Sequence, residues 1–139
     1  MAFTSVRKIR FDDVDGAGIV YYPQFFHICH EVFEDFFDEV AQCSYPDMIV
    51  KERLGFPTVA LPSEFLAPLR YGDLAVVQMR VASIGKTSLQ MNYEFFRKED
   101  GSKCFAAQIT TVLINLDTHQ SIPIQGEMKT VLEKYLVKT

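Results

Sequence analysis

The chain has 139 residues and a mass of 15.9 kDa, with 48% apolar, 23% charged and 13% aromatic residues. This composition excludes disorder and is typical of one compact domain whose core needs neither a disulfide nor a metal. The net charge of −4 and the pI near 5.3 argue against a nucleic-acid partner, because nucleic-acid binders usually carry a basic domain. We therefore expect a single domain over residues 1–139.

Apolar runs and cysteines bear on where the protein resides. No apolar run approaches the roughly 18 residues of a membrane helix, and the amino-terminal stretch has no long apolar segment before a small-residue cleavage site. Cys29, Cys43 and Cys104 have no C-x-x-C spacing, which argues against a disulfide framework and a zinc ribbon. Cys29 is expected to be a buried thiol. We expect a cytoplasmic protein without membrane insertion.

A long amphipathic helix is predicted from Pro23 to about Val40. Apolar residues recur there at the i, i+3, i+4 spacing, and the other half of its surface is polar or charged. Pro23 suits the first helical position, where its missing N–H costs nothing. Asp38 lies near the carboxyl end, which the helix dipole disfavours. A shorter helix is predicted from Pro46 to Leu54, before Gly55.

Beyond Gly55 the apolar period changes from about four to two, which predicts strands. The predicted elements are Thr58–Leu66, Leu74–Ile84, Thr87–Phe96 and Cys104–Leu116, with a first strand at Val6–Phe11 and a closing helix at Gly126–Val137. Hairpin turns separate the strands, and antiparallel strands that cover one long helix form an α+β layer architecture. One sheet leaves open edges, so we expect an oligomer.

The segment FDDVDGAGIVYYP joins the first strand to the long helix and is chemically the most informative. It carries carboxylates at Asp12, Asp13 and Asp15, and glycines at Gly16 and Gly18. Unpaired N–H groups at a helix start hold partial positive charge, and a glycine-rich approach admits a substrate carbonyl. A carboxylate beside that carbonyl is a candidate nucleophile or general base. Asp and Gly are also ordinary turn residues, so the spacing alone gives only a site hypothesis.

This segment resembles the signature of a known family. The resemblance rests on the pattern Asp13-x-Asp15-x-x-Gly18-Ile19-Val20-Tyr21-Tyr22, followed by Pro23 and an aromatic-rich helix. The family is that of the 4-hydroxybenzoyl-CoA thioesterases, and the order of strands is similar over nearly the whole chain. The resemblance implies a hotdog fold, in which a curved antiparallel sheet wraps a long central helix. It also implies a homodimer or tetramer with active sites at the protomer interface.

The resemblance implies hydrolysis of an acyl-CoA to acid and CoA, without metal or other cofactor. By position, Asp15 matches the catalytic carboxylate, and Tyr22 matches the residue whose backbone N–H polarises the thioester carbonyl. Asp13 matches a second acid, which we interpret as a turn cap. Gly18 gives the carbonyl access, and His30 lies where the helix borders the acyl pocket. The implied acyl group is aromatic, such as hydroxybenzoyl, with short or medium aliphatic chains next.

Coenzyme A itself has a predicted contact in a later hairpin. Residues Lys86, Thr87 and Ser88 resemble the turn and strand start where relatives contact the pantetheine arm and phosphates. A lysine in a hairpin is more often simply solvated, so this is the weaker of the two site hypotheses.

Three alternatives remain open from the sequence. The helix places His27, His30, Glu31 and Glu34 at spacings that suit a metal, although a solvated polar face is the simpler interpretation. An enoyl-CoA hydratase on the same fold pairs its Asp with a His five residues later, where this chain has Val20. A protein that binds acyl-CoA or acyl carriers without catalysis is the third alternative.

Overall fold

The computed structural model describes residues 1–41 and 43–137. Its elements are β1 (Phe3–Lys8), α1 (Tyr22–Glu39), α2 (Tyr45–Val50), β2 (Leu54–Gly55), β3 (Thr58–Ala60), β4 (Ser63–Phe65), β5 (Leu74–Ile84), β6 (Ser88–Arg97), β7 (Lys103–Val112), β8 (Ile114–Asn115) and α3 (Gly126–Lys134). A 3-10 turn at Phe11–Asp13 follows β1. Within the described ranges, no helix has the length and apolar character needed to cross a membrane.

The main sheet is antiparallel and runs in the order β1-β5-β6-β7, with β3 and β4 both paired to the outer edge of β7. Strands β2 and β8 form a separate two-stranded ribbon. Strand β1 and the β3–β4 segment are therefore the two edges of the sheet.

The core lies between α1 and one face of this sheet. Along β6, Leu89, Met91, Tyr93 and Phe95 are buried and their neighbours are half-buried, because successive side chains point to opposite faces. At the start of α1, Phe25 stacks on Phe105 of β7 with ring centroids 4.4 Å apart. The alternation in the strands and the apolar stripe of the helix therefore meet as the sequence predicts.

Three predicted strands differ from the structure. The predicted strand Cys104–Leu116 is divided into β7 of the main sheet and β8 of the separate ribbon. The first strand is Phe3–Lys8 rather than Val6–Phe11, because Ile9 turns inward and a 3-10 turn begins at Phe11. The predicted strand Thr58–Leu66 is two short strands with a register shift, separated by Leu61 and Pro62. Proline has no N–H to donate to the ladder, so a continuous strand is interrupted there.

The helix ends also differ from the prediction. Helix α1 begins at Tyr22, so Pro23 occupies its second position rather than its first. Asp38 lies where the helix dipole disfavours an anion, but it connects the end of α1 to α2. Its Oδ1 accepts the backbone N–H of Tyr45 at 2.7 Å, where α2 begins. Helix α3 ends at Lys134 instead of Val137, whose N–H donates to the Val81 carbonyl of β5.

We predict that Phe36→Ala lowers the free energy of unfolding by about 3–5 kcal/mol, because the side chain is fully buried and its removal leaves a cavity. Urea denaturation followed by circular dichroism measures this loss. Val50→Ala on the exposed side of α2 is the control and should change stability by less than about 0.5 kcal/mol. Equal effects of the two substitutions would contradict the assignment of Phe36 to the core.

Candidate active site

The loop of residues 14–20, which we call the acid loop, folds back on itself between β1 and α1. The Asp15 N–H donates to the Ile19 carbonyl at 3.0 Å, and the Gly18 N–H donates to the Asp15 carbonyl at 2.9 Å. Gly18 has a φ of +77°, a conformation that a residue with a side chain rarely adopts. The closed turn has Gly16 and Ala17 at its tip and fixes the position of Asp15, the residue at which it begins.

A second segment, residues 66–73, holds the acid loop against the sheet; we call it the supporting segment. The Val20 N–H donates to the Leu69 carbonyl at 2.8 Å, and the Tyr71 N–H donates to the Gly18 carbonyl at 3.0 Å. Ile19 forms a β-bridge with Arg70 between these two bonds. The backbone of the supporting segment therefore determines where the acid loop lies.

Asp13 and Asp15 have different environments. Both oxygens of Asp13 are occupied, one by the Arg10 backbone N–H at 2.8 Å and the other by the Gln24 side-chain amide at 3.2 Å. Asp15 is exposed, and its Oδ1 accepts the Ala17 N–H at 2.9 Å. Within residues 1–41 and 43–137, its Oδ2 has no partner. Asp13 is therefore a structural cap, whereas Asp15 keeps an oxygen for chemistry.

The start of α1 presents one unpaired donor. The Tyr21 N–H donates to the Asp13 carbonyl at 2.9 Å and the Gln24 N–H to the Tyr21 carbonyl at 2.8 Å, while Pro23 has no N–H. The Tyr22 N–H finds no acceptor in the described part of the chain. It lies at the positive end of the helix dipole, so it can hold a carbonyl oxygen or an oxyanion.

These groups line one cavity of about 580 Å³. Its walls are formed by Asp15, Ile19, Val20, Tyr21, Tyr22, Phe25, Phe65, Leu66, Ala67, Pro68 and Leu69. A larger groove of about 660 Å³ lies on the opposite, polar face of the sheet and includes Arg80, Glu94 and Lys103. Arg80 and Lys103 both pair with Glu94 there, and although the exposed Glu64 also lines that groove, none of its lining residues belongs to the first turn of a helix, whose N–H groups could hold a carbonyl oxygen. The smaller cavity is therefore the candidate active site.

His30 lies farther along the same helix. It borders a narrow cavity of about 80 Å³ between α1, the sheet and the β3–β4 edge, together with Phe26 and Tyr93. Its Nε2 is 2.8 Å from the Glu34 carboxylate, and its side chain is 56% exposed. His30 is therefore not in the Asp15 cavity, but it shares the α1 face that continues from Tyr22 through Phe26.

The predicted coenzyme A contact lies elsewhere. Ser88 pairs with Val112 at one end of the β6–β7 ladder, whereas Phe95, beside the Asp15 cavity, pairs with Phe105. Phe95 is seven residues after Ser88 along β6, and seven steps along a strand correspond to about 23 Å. Within one protomer the structure therefore does not bring Lys86, Thr87 and Ser88 together with Asp15.

Two other residue groups have structural explanations. The candidate metal ligands on α1 pair two by two, with His27 3.7 Å from Glu31 and His30 2.8 Å from Glu34. Burial raises the pKa of the Cys29 thiol far above its ordinary value, which suppresses the reactive thiolate. Cys29 is thus the buried thiol that the sequence indicates.

Arg97 was not predicted as part of the site. Its guanidinium donates to the Pro68 carbonyl, lies 3.5 Å from Asp73 and hydrogen-bonds Asp100 at 2.7 Å. Pro68 and Asp73 belong to the supporting segment, so Arg97 fastens that segment to β6. A lone arginine at a strand end gives no sequence signal for this, because its partners are distant in the chain.

Comparisons with known proteins show the family and the fold of the chain. A family model described as the thioesterase-like superfamily matches residues 9–132. The chain is 33% identical over 94 residues to a 1,4-dihydroxy-2-naphthoyl-CoA hydrolase of Nostoc punctiforme, covering 68% of this chain and 63% of that protein. It is 28% identical over 130 residues to the Synechocystis protein of that name, covering 94% of each. A solved 1,4-dihydroxy-2-naphthoyl-CoA thioesterase from Synechocystis superposes with a TM-score of 0.86 at 27% identity, covering 95% and 96% of the two chains.

These findings confirm the predicted α+β hotdog fold. They confirm the family prediction at the level of the superfamily; the relatives are named for 1,4-dihydroxy-2-naphthoyl-CoA rather than for 4-hydroxybenzoyl-CoA, so the finer family stays a prediction.

We predict that Arg97→Ala lowers the free energy of unfolding by about 2–3 kcal/mol, because charged hydrogen bonds to a side chain only 13% exposed are lost. Amide hydrogen exchange at Val20 and Tyr71 should also accelerate, since the supporting segment loosens. Arg53→Ala removes a comparable but exposed pair with Asp117 and should cost less than about 1 kcal/mol. Unchanged exchange at Val20 and Tyr71 would show that Arg97 does not hold the segment.

Proposed function

The chain belongs to the thioesterase-like superfamily, whose relatives here are hydrolases of CoA thioesters, and we propose that it hydrolyses an aromatic acyl-CoA in the Asp15 cavity. One observation carries the assignment of this cavity. Among the described residues, Tyr22, which has the only unpaired N–H of the first turn of α1, and Asp15, which has a free carboxylate oxygen, line the same cavity. Acyl transfer uses a hydrogen-bond donor for the oxyanion together with a nucleophile or general base, and a carboxylate can serve as either.

The proposed mechanism begins with the thioester carbonyl oxygen accepting the Tyr22 N–H. The donor lies at the helix start and stabilises the negative charge that develops on this oxygen during attack. Tyr22 acts through its backbone, so its side chain has no part in this step.

Asp15 has two chemically complete routes. In one, its carboxylate attacks the carbonyl carbon, the C–S bond breaks, the CoA thiolate leaves, and water then hydrolyses the resulting mixed anhydride. In the other, Asp15 takes a proton from water as that water attacks the carbonyl carbon; the C–S bond then breaks, and the proton held by Asp15 passes to the departing CoA sulfur. Both routes release the free acid and CoA, and neither requires a metal or a redox cofactor.

The relatives suggest a bicyclic acyl group for this chain. We propose 1,4-dihydroxy-2-naphthoyl-CoA as the first candidate and the smaller 4-hydroxybenzoyl-CoA as the second. Tyr22, Phe26 and His30 lie four residues apart on one face of α1, between the Asp15 cavity and the narrow cavity beside Tyr93. An aromatic ring placed along this face would meet aromatic side chains first and the His30 imidazole at its far end.

The two alternative functions have less support. A hydratase needs a second acid–base group at Val20, but this side chain is buried and carries no titratable group. A protein that only binds acyl groups needs no free carboxylate oxygen opposite an unpaired N–H. Release of thiol from a panel of aromatic and aliphatic acyl-CoAs distinguishes hydrolysis from both alternatives.

We propose that two copies of the chain join along the β3–β4 edge. This edge exposes Val59, Leu61, Phe65 and Leu66, and unpaired apolar edges are templates for pairing with another chain. The Lys86–Ser88 hairpin contacts a neighbouring Asp15 cavity only from such a second protomer, so its coenzyme A contact stays a prediction. A dimer of dimers and a cytoplasmic location also stay predictions; the three free cysteines fit a reducing compartment.

We predict that Asp15→Asn lowers kcat/KM for the acyl-CoA by at least about 100-fold, because the nucleophile or base is lost. Its unfolding free energy should stay near that of the parent protein. Asp13→Asn is the matched control: it keeps one of the two acceptor oxygens and replaces the other by an NH₂ group facing a donor, so it should lower stability by about 0.5–1.5 kcal/mol while largely keeping activity. Parent-level hydrolysis by Asp15→Asn, with loss in Asp13→Asn, would transfer the catalytic assignment to Asp13.

We predict a dimer of about twice 15.9 kDa or its pair in light scattering at micromolar concentration. Leu61→Glu should shift the protein toward the monomer, because it places a charge on the proposed apolar edge. Val50→Glu, on an exposed apolar residue away from that edge, is the control and should leave the mass unchanged. A fully active monomer in the parent protein would rule out a site shared between protomers.

A further inference from the structure

Arg97 is a charged side chain that the fold buries against the wall of the candidate active site. It is the last residue of β6, and its side chain is only 13% exposed. Its Nε is inaccessible to solvent and has no hydrogen-bond partner in the part of the chain that the structure describes, although Asp73 lies 3.5 Å away. A buried guanidinium with an unmade hydrogen bond costs free energy that an apolar side chain of similar size would not cost. Stability alone therefore does not explain an arginine at this position.

The first part of the supporting segment is attached to the sheet at two places. Residues 66–67 donate both of their backbone N–H groups to the Cys104 carbonyl of β7, at 2.9 and 3.2 Å. The next carbonyl, that of Pro68, accepts a hydrogen bond from the Arg97 guanidinium. The Cys104 thiol also lies 3.9 Å from this carbonyl, but a thiol is a weak donor. Arg97 therefore supplies the strong polar link between Pro68 and the sheet.

The acid loop bonds to the residues that directly follow this link. The Val20 N–H donates to the Leu69 carbonyl at 2.8 Å, and the Tyr71 N–H donates to the Gly18 carbonyl at 3.0 Å. The Pro68 carbonyl shares one planar peptide unit with the Leu69 nitrogen, so a bond to that carbonyl also orients Leu69. The position that Arg97 gives to Pro68 is thus passed to the acid loop through two backbone hydrogen bonds.

Arg97 also contacts the far end of the supporting segment, at Asp73. The Asp73 carboxylate accepts the Arg70 N–H at 2.8 Å and lies 3.5 Å from the guanidinium. Asp100, in the turn after β6, accepts a hydrogen bond from the same guanidinium at 2.7 Å and fixes the direction in which it points. One planar group therefore holds both Pro68 and Asp73, and the stretch that pairs with the acid loop lies between them.

We propose that Arg97 is a positioning residue for the hydrolysis, which holds the supporting segment so that the acid loop places Asp15 next to the thioester carbon. This inference rests on the proposed acyl-CoA hydrolysis. Arg97 is not among the described residues that line the candidate active site, so it acts through the backbone of the supporting segment and not by contact with the substrate. Attack or proton removal by a carboxylate depends on its orientation, and a displacement of about 1 Å costs up to about 100-fold in rate.

Steady-state kinetics of Arg97→Ala test this inference, at a temperature at which circular dichroism shows the variant to be folded. With acyl-CoA, kcat should fall roughly tenfold to 100-fold while KM changes by less than about threefold, because the cavity and the Tyr22 N–H remain in place. Arg53→Ala is the matched control, since it removes an exposed arginine that pairs with Asp117. It should keep the kcat of the parent protein.

Arg97→Lys is the second variant, and it takes the place of Arg97→Ala in every measurement if that variant does not fold. It keeps the positive charge beside Asp73 and Asp100 but has no planar fork. A lysine ammonium cannot bond the Pro68 carbonyl and both carboxylates in one plane, so kcat should fall in this variant as well. Its stability should lie closer to that of the parent protein, because the charge is retained.

A double-mutant cycle with Asp15→Asn distinguishes positioning from a general loss of structure. If Arg97 acts through Asp15, Arg97→Ala should lower the residual kcat of Asp15→Asn by less than about threefold, because the group that it positions is already absent. A general loss of structure would instead multiply with the effect of Asp15→Asn and give the same reduction in both backgrounds.

Two outcomes would overturn the inference alone. The first is a parent protein that hydrolyses acyl-CoA while folded Arg97→Ala keeps its kcat, with or without a rise in KM. The second is an equal reduction of kcat by Arg97→Ala in the parent protein and in Asp15→Asn. A parent protein that hydrolyses no acyl-CoA would refute the proposed function, and the role of Arg97 in hydrolysis with it.

Discussion

The candidate site depends on the hydrogen bonds between the acid loop and the supporting segment. The Leu69 carbonyl and the Tyr71 N–H hold the two sides of the loop turn, and Gly18 supplies the backbone conformation that the turn requires. Without this pairing, a short exposed loop would sample many conformations, and Asp15 would have no fixed relation to α1. Catalysis by a carboxylate requires its position to be fixed before the substrate arrives.

The same arrangement gives chemically similar groups different hydrogen-bond partners. Asp13 satisfies two donors and Asp15 satisfies one, so the free oxygen belongs to Asp15. At the helix start, Pro23 carries no N–H and the Gln24 N–H is occupied, which leaves the Tyr22 N–H without an acceptor among the described residues. In both cases the reactive group is the one that folding leaves unsatisfied. Both residues, Asp15 and Tyr22, are exposed, so water can hydrate the free N–H and the free oxygen until a substrate replaces it.

Sequence periodicity predicted α1 and the three long strands because their apolar residues decide which face is buried. It did not predict the break at Pro62 or the ends of the first strand, where single backbone hydrogen bonds and a missing N–H decide. The acid loop was recognisable from its motif, but the support from Arg97 was not, since this contact joins segments far apart in the chain. The hairpin at Lys86 was predicted without knowledge of sheet length, and that length separates it from Asp15.

The most direct test is a crystal structure of the protein with an inert ketone analogue of an aromatic acyl-CoA. The proposed mechanism predicts that the ketone oxygen lies about 3 Å from the Tyr22 backbone nitrogen. It also predicts that the Asp15 carboxylate lies within about 3.5 Å of the ketone carbon. A ketone bound elsewhere, for example in the groove on the opposite face of the sheet, would contradict it. So would an analogue whose carbonyl lies in the cavity but faces away from both groups.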